Sequence, residues 1–127
     1  MTQLHITGLS HDGCGVGRTA EGKVVFVPGA LPDETITATL GDSHKGIIQG
    51  TLEDVLTPSP HRVTPPCPLA EACGGCALQV ADAALQAEIK RRQVEDALLR
   101  IGKLDCQVLP VKTMNEPWRY RNKGIFH

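Results

Sequence analysis

The fold of this chain is decided by an alternating stretch in its first half, Thr35-Ile36-Thr37-Ala38-Thr39-Leu40. The three apolar side chains of this stretch recur at every second position, which places them on one face of a pleated strand. Other segments are also rich in β-branched residues and are separated by glycine turns: His5–Leu9, Lys23–Val27 and Gly46–Leu52. The pattern predicts a small OB-type barrel of about five short strands over residues 1–62.

A glycine-rich segment, Gly13-Cys14-Gly15-Val16-Gly17, lies between the first two of these strands. A dinucleotide-binding loop needs Gly-x-Gly-x-x-Gly opening a helix. Here the third glycine comes one position early, and the residues up to Val27 indicate a turn and a strand. We interpret the segment as a bulge or sharp coil at a corner of the barrel.

The second half of the chain no longer shows the pattern of short strands and glycine turns. Prolines concentrated in residues 57–68 indicate a linker, so we assign residues 63–81 to a proline-rich linker and cysteine loop. Residues 82–104 predict one long helix, with Asp82 as its cap and Gly102 near its end. Residues 105–127 alternate large apolar and basic side chains around Trp118, which is typical of the first strand of a further domain that this chain does not complete. The expected class is α+β, mostly β with one long helix.

Charge gives no overall attraction to nucleic acid, because the formal net charge is -1 and the pI is about 6.5. Phosphate contacts would have to come from local groups. The candidates on the barrel and the helix are His11, Arg18, Lys23, His44, Lys45 and the run Lys90-Arg91-Arg92. For both sets the interpretation that we favour is a solvated surface: ordinary exposed polar residues on the barrel and a solvated face on the helix. The sequence has no apolar run that could cross a bilayer and no signal pattern at its start, so we expect no membrane partner and a cytoplasmic location.

The strongest chemical motif is Cys67-x5-Cys73-Gly74-Gly75-Cys76. Thiolates select iron–sulfur clusters, zinc or copper(I), and glycines let the backbone pass close to an inorganic core. Structural zinc sites usually show two ligand pairs, whereas here one pair is joined by a single cysteine. The spacing therefore favours an iron–sulfur cluster over zinc.

The alternative of a small zinc protein stays open, with His61 or Cys106 as a fourth ligand. We interpret Cys14 and Cys106 otherwise as ordinary small residues.

Two parts of the sequence resemble a known family. Gly13–Gly17 together with Val25–Glu34 resembles a TRAM domain, a small OB-type barrel associated with RNA modification. The cysteine motif through Gln79, the helix segments and the stretch Glu116–Lys123 resemble the N-terminal third of bacterial S-adenosylmethionine-dependent RNA (uracil-5-)-methyltransferases of the ribosomal-RNA type.

The resemblance implies roles for some residues and leaves others without one. Cys67, Cys73 and Cys76 match three of the four ligands of the family's 4Fe-4S cluster. The fourth ligand, the S-adenosylmethionine site and the catalytic residues would lie beyond His127, so no residue here receives a catalytic role. The implied partners are RNA, in particular ribosomal RNA, and the missing C-terminal catalytic domain. A free-standing RNA-binding or metal-binding module without enzymatic activity is the alternative.

Overall fold

The computed structural model describes every residue from Met1 to His127 and contains two units, Met1–Asp82 and Ala83–His127. The first unit contains five strands: β1 (Thr2–Leu9), β2 (Gly15–Arg18), β3 (Val24–Val27), β4 (Thr35–His44) and β5 (Ile47–Thr57). They form a closed barrel in the order β1-β2-β3-β5-β4. All neighbouring strands are antiparallel except β3 and β5, which are parallel. The predicted fold class, a small five-stranded barrel with one long helix elsewhere, is confirmed.

The alternating stretch of β4 supplies the centre of the barrel core, as its pattern predicted. Ile36 and Ala38 are 0% exposed, and Leu40 is partly buried against the same cluster. The other buried members are Leu4, Ile6, Val25, Val27, Ala30 and Ile48. Burying an aliphatic side chain of this size stabilises a fold by about 1.5–3 kcal/mol, so these residues are the main reason that the sheet closes.

The glycine segment contains both a turn and a strand. Strand β1 has a register shift between Ile6 and Gly8, opposite Gly17 and Val16, which agrees with the expected bulge, but a sharp coil over the whole segment is wrong. Residues Gly15–Arg18 form strand β2, and Gly15 pairs with Val27 of β3. A Cβ atom on Gly15 would lie 2.8 Å from the Cβ of Ala30 and 2.9 Å from its carbonyl oxygen. The barrel therefore requires glycine on the inner side of this strand, and the residue that usually weakens a strand is here the one that fits.

The first unit also contains a short helix, α1 (Ala70–Cys73). The second unit contains helix α2 (Ala83–Arg100), which begins after Asp82 and ends earlier than the predicted residue 104. The left-handed residue at its end is Lys103, with φ of 55°, rather than Gly102. The amide of Leu104 donates to the carbonyl of Leu98 at 2.9 Å and closes the last turn. Neither helical segment combines the length and the apolar composition that a membrane-spanning helix requires.

The strand predicted around Trp118 is not formed. Residues 103–127 contain no helix or strand, and Trp118, Tyr120 and Phe126 are exposed. A strand is stable only when a neighbour satisfies its backbone hydrogen bonds. In the structure no second strand pairs with this segment.

Candidate metal-binding loop and nucleic-acid interface

The three motif cysteines lie in a loop that is closed at its base. Arg62 and Ala81 form an isolated antiparallel bridge, and the amide of Val63 donates to the carbonyl of Val80 at 2.8 Å. These contacts bring the two ends of residues 64–79 together. The loop therefore leaves the barrel and returns to it at one place, which limits how far its cysteines can separate.

A buried ion pair anchors this base to the barrel. Glu34 is 0% exposed, and its carboxylate accepts hydrogen bonds from Arg62 Nε at 2.6 Å and Arg62 Nη2 at 2.8 Å. The amides of Leu31 and Ser59 donate to the same carboxylate at 2.9 and 3.1 Å. Arg62 Nη2 also donates to the carbonyl of Gly29 at 2.6 Å. Burial alone would raise the pKa of Glu34, but the hydrogen bonds, first those from Arg62, outweigh it and lower the pKa below 4.5.

Inside the loop, the cysteines occupy different environments. Cys67 is partly buried, Cys73 is exposed at the end of the short helix α1 (Ala70–Cys73), and Cys76 is exposed after the glycine pair. Gly74 ends α1 with φ of 69°. Three free thiols on one closed loop fit the donor chemistry of a thiolate-bound metal or cluster. The structure contains no group of three or more Cys, His, Asp or Glu side chains arranged to hold a metal ion, so the ligand set Cys67, Cys73 and Cys76 stays a prediction.

The other residues considered as ligands have separate surroundings. His61 Nδ1 lies 2.8 Å from Asp82 Oδ2, so one ring nitrogen is engaged at the base of the loop. Cys106 is exposed in the second unit. Burial, followed by the charge of Asp12, raises the pKa of the Cys14 thiol, which disfavours its thiolate form.

The loop also contacts the barrel and its own base near two of its cysteines. The side-chain Oε1 of Gln79, which is 9% exposed, accepts a hydrogen bond from the amide of Cys67 at 3.3 Å. On the barrel side, a Cβ atom built on Gly13 would lie 3.0 Å from the Cβ of Ala77. Between loop and barrel lies a cleft of about 860 Å³, lined among others by Cys14 and Cys76.

The register of the barrel gathers most of the predicted phosphate contacts at one end. Arg18 of β2 pairs with Val24, Val24 pairs with Ile47, and Ile47 pairs with His44. Four exposed residues therefore share what we call the basic end: Arg18, Lys23, His44 and Lys45. Two acidic residues, Glu21 and Asp42, lie in the adjoining turn and strand.

His11 lies apart from the basic end, in the turn after β1, and the structure does not bring it together with the other four candidates. The helix run Lys90–Arg92 is largely engaged in ion pairs of its own helix. Arg91 bonds Glu88 at 2.8 Å and Glu95 at 2.6 Å, and Arg92 bonds Glu88 at 3.0 Å. This arrangement agrees with the favoured interpretation, a solvated helix face.

Glu34, Arg62 and Gln79 position the loop, and no motif of the sequence assigns that role to any of them. The sequence gives only a weak indication that Glu34 has a partner. It lies close to the apolar pair Leu31 and Pro32, which suggests burial, and a buried carboxylate needs a donor or a cation. Nothing in the sequence identifies that partner, since Arg62 lies 28 residues further along the chain, among the prolines of residues 57–68. Gln79 ends the segment that resembles the family, but no pattern in the sequence assigns it a role, because that role depends on the backbone amide of Cys67.

The barrel matches a known domain family, and most of the chain is similar to longer proteins. Residues 3–52 match the family described as TRAM domain. A protein of Listeria monocytogenes named as an uncharacterized RNA methyltransferase is 44% identical over 122 residues, covering 96% of this chain and 27% of the relative. A similarly named protein of Halalkalibacterium halodurans is 43% identical over 125 residues, covering 98% of this chain and 27% of the relative.

One relative carries a more specific name. The 23S rRNA (uracil(1939)-C(5))-methyltransferase RlmD of Acidithiobacillus ferrooxidans is 47% identical over 109 residues, covering 85% of this chain and 24% of the relative. The chain thus spans about a quarter of the length of the curated relatives that it matches.

Proposed function

We propose that this chain, which has a TRAM domain at residues 3–52 and matches the N-terminal region of proteins named RNA methyltransferases, is the RNA-docking and 4Fe-4S-binding portion of an RNA (uracil-5-)-methyltransferase. Such an enzyme would use S-adenosylmethionine to methylate uridine in ribosomal RNA. The observation that carries the proposal is the extent of the match, which runs through barrel, cysteine loop and helix over 96% of the chain.

RNA is the proposed partner of the barrel. The basic end offers exposed cations at neighbouring strand ends, and cations in a groove or on an edge are what a phosphate backbone binds. The barrel has little aromatic surface, since Phe26 is its one aromatic residue and is only partly exposed. Electrostatic docking therefore suits this barrel better than base stacking.

Cys67, Cys73 and Cys76 would hold the cluster, with a fourth ligand from elsewhere. A bound cluster supplies either a rigid covalent brace between segments or an electron-transfer centre. The chain's own part is to present three thiolates from one closed loop. Five free cysteines suit a reducing cytoplasm, which we propose as the location. The methyl donor site and the catalytic nucleophile are not assigned to any residue of this chain.

The mass of the native polypeptide tests the proposed enzyme. The relatives are about four times as long as the matched region, so an antibody against this chain should detect a protein of correspondingly greater mass in native cells. A native protein of 13.6 kDa that folds alone would contradict the proposal and favour a free-standing module.

The metal content tests the cysteine assignment. In the full-length native protein, which would supply the fourth ligand, Cys76→Ser should retain less than about half of the iron of the unaltered protein after anaerobic reconstitution with iron and sulfide, because a hydroxyl is a poor replacement for thiolate. Cys106→Ser, a matched exposed cysteine of the second unit, should retain all of it. Equal losses in both variants would contradict the assignment, and stoichiometric zinc without acid-labile sulfide would favour the zinc alternative.

A further inference from the structure

The second unit, Ala83–His127, contains almost no hydrophobic core of its own. Ile89, which is 4% exposed, is its only buried hydrophobic residue, and all the others of the chain belong to the barrel unit. Most of the chain's exposed large hydrophobic side chains lie from Val94 onward. Ordering a segment costs conformational entropy, which the burial of apolar surface normally offsets. The second unit therefore needs a further apolar surface to pack against.

Helix α2 shows where that packing surface lies. Ile89 and the partly buried Leu85 occupy one side of the helix. At about 100° per residue, Val94, Ala97 and Ile101 fall within about 60° of one another on a different side. The amide of Ile101 donates to the carbonyl of Ala97 at 3.0 Å, so the helical turn continues through Ile101. All three residues are exposed, Val94 by 51% and Ile101 by 83%, and we call them the open face.

The charged side chains beside the open face are mostly satisfied by one another. Arg91 bonds Glu88 at 2.8 Å and Glu95 at 2.6 Å. Lys90 lies on the same side as the open face, and a lysine can lay its aliphatic stem along an apolar partner while its ammonium group stays in water. Covering the open face would therefore leave no charge both buried and unpaired.

The length of the relatives indicates what covers the open face. The match to the Listeria monocytogenes protein includes 96% of this chain, and so reaches far into the second unit, but it covers only 27% of the relative. A free partner commonly needs about 20–30 residues on each side, many more than the open face offers. A segment of the same polypeptide needs fewer contacts, because the covalent link keeps its effective concentration high.

We infer that the open face of α2 packs against the part of the longer polypeptide that follows residue 127, and that the two share one hydrophobic core. The inference rests on the proposed function, in which this chain is the N-terminal portion of a longer enzyme. It extends that proposal by assigning the surface on which the following part docks. The helix then has a structural role that neither the basic end nor the cysteine motif requires.

Amide hydrogen exchange in the full-length native protein and in the 127-residue chain tests this contact. We expect residues 94–101 to exchange at least about tenfold more slowly in the full-length protein. Val94→Gln should remove most of that protection, because the amide of the glutamine would be buried without a partner. In the 127-residue chain the same substitution should change exchange little, since the side chain at position 94 is exposed there.

Leu99→Gln is the matched control for Val94→Gln. Leu99 is 48% exposed, close to the value for Val94, but it lies nearly opposite the open face on the same helix. Its substitution should leave the exchange of residues 94–101 in the full-length protein unchanged. Equal losses of protection in the two variants would overturn the assignment of the face.

A milder variant covers the case in which Val94→Gln prevents the full-length protein from folding. Val94→Ala removes two methyl groups from the packed side chain and adds no polar group. It should lower the Tm of the full-length protein by about 1–3 °C and leave the 127-residue chain unaffected. An unchanged Tm in the full-length protein would contradict burial of Val94.

The outcomes separate the inference from the proposed function. A native protein of 13.6 kDa would overturn both. A longer protein that methylates uridine in ribosomal RNA, but whose residues 94–101 exchange as fast as in the 127-residue chain, would overturn the inference alone. Protection that grows with the concentration of the 127-residue chain would assign the open face to a second copy and would also overturn it. Protection in the longer protein that Val94→Gln removes and Leu99→Gln keeps supports the inference, whether or not that protein methylates uridine.

Discussion

At the scale of single residues, the carboxylate of Glu34 determines how the linker meets the barrel. It is 0% exposed and receives donors from a side chain of the linker and from backbone amides on both sides. A buried carboxylate with every oxygen satisfied favours one arrangement, because any displacement of Arg62 leaves a charge without a partner. Through Arg62, Glu34 therefore fixes the position of the base of the cysteine loop.

Removing Arg62 should therefore be severe. Arg62→Met leaves Glu34 buried without its cation, and we expect the free energy of unfolding to fall by about 3 kcal/mol at pH 7 in urea titration. Arg18→Met is the control, because Arg18 is exposed, and we expect its effect to stay within about 0.5 kcal/mol. Similar losses in the two variants would show that the ion pair is not what holds the linker.

The same ion pair predicts a dependence on pH. Because the pKa of Glu34 is lowered from 4.5 in the folded protein, its contribution to stability is present above pH 4.5 and is lost as the pH falls through the folded value. The difference in unfolding free energy between the unaltered chain and Arg62→Met should consequently shrink in acid. A difference that stays constant from pH 7 to pH 3 would exclude the charge of Glu34 as its cause.

At the scale of elements, helix α2 stabilises itself with charges along one side. Arg91 joins Glu88 and Glu95, and Arg92 joins Glu88, at spacings of three and four residues. These are the separations at which side chains on a helix meet. The basic run that suggested phosphate contacts in the sequence is thus mostly occupied inside its own helix.

Glu88 reports on this network. The hydrogen bond from Arg91 is the largest cause that lowers the pKa of Glu88 from 4.5 to about 2. We expect Arg91→Gln to move that pKa back toward 4.5 in a carboxyl titration followed by NMR, while Arg100→Gln at the helix end should not. Since the pKa is lowered in the folded helix, the ion pairs support the helix above pH 4.5 and cease to do so as the pH falls toward 2. An unchanged Glu88 titration in Arg91→Gln would contradict the pairing.

At the scale of the whole barrel, the two candidate sites lie at opposite ends. Gly15 pairs with Val27 at the end that receives the cysteine loop, and Arg18 pairs with Val24 at the basic end. Strand β2 separates them by about 10 Å, since a strand rises about 3.3 Å per residue. A substitution that removes one site should therefore leave ligand binding at the other site unchanged.

RNA binding should depend on the basic end alone. The double variant Lys23→Glu with Lys45→Glu should weaken binding of a single-stranded oligouridine in fluorescence anisotropy and reduce the salt slope of log K by about 1.4, near 0.7 per phosphate contact. Lys103→Glu with Lys112→Glu makes the same charge change in the second unit and should have a smaller effect. Iron retention should stay unchanged in both. Equal effects of the two double variants on binding would indicate net charge rather than a site.

The sequence by itself determined what depends on neighbours along the chain. The period-2 pattern of residues 35–40, the prolines of residues 57–68, the helix after Asp82 and the cysteine motif are all local. The barrel and the helix appear in the structure close to where these patterns indicate them. Local patterns are readable because propensity and periodicity act between adjacent residues.

Only the tertiary structure decided which distant residues meet. The register that gathers Arg18 and His44, the fit of Gly15 against Ala30, and the pairing of Glu34 with Arg62 join segments that lie far apart in sequence. The strand predicted around Trp118 has the same dependence, and in the structure no second strand pairs with that segment. A strand edge or a buried charge is stable only when a partner lies next to it in space, and a glycine such as Gly15 is required only where another backbone comes close. Closing the barrel brings these distant residues together.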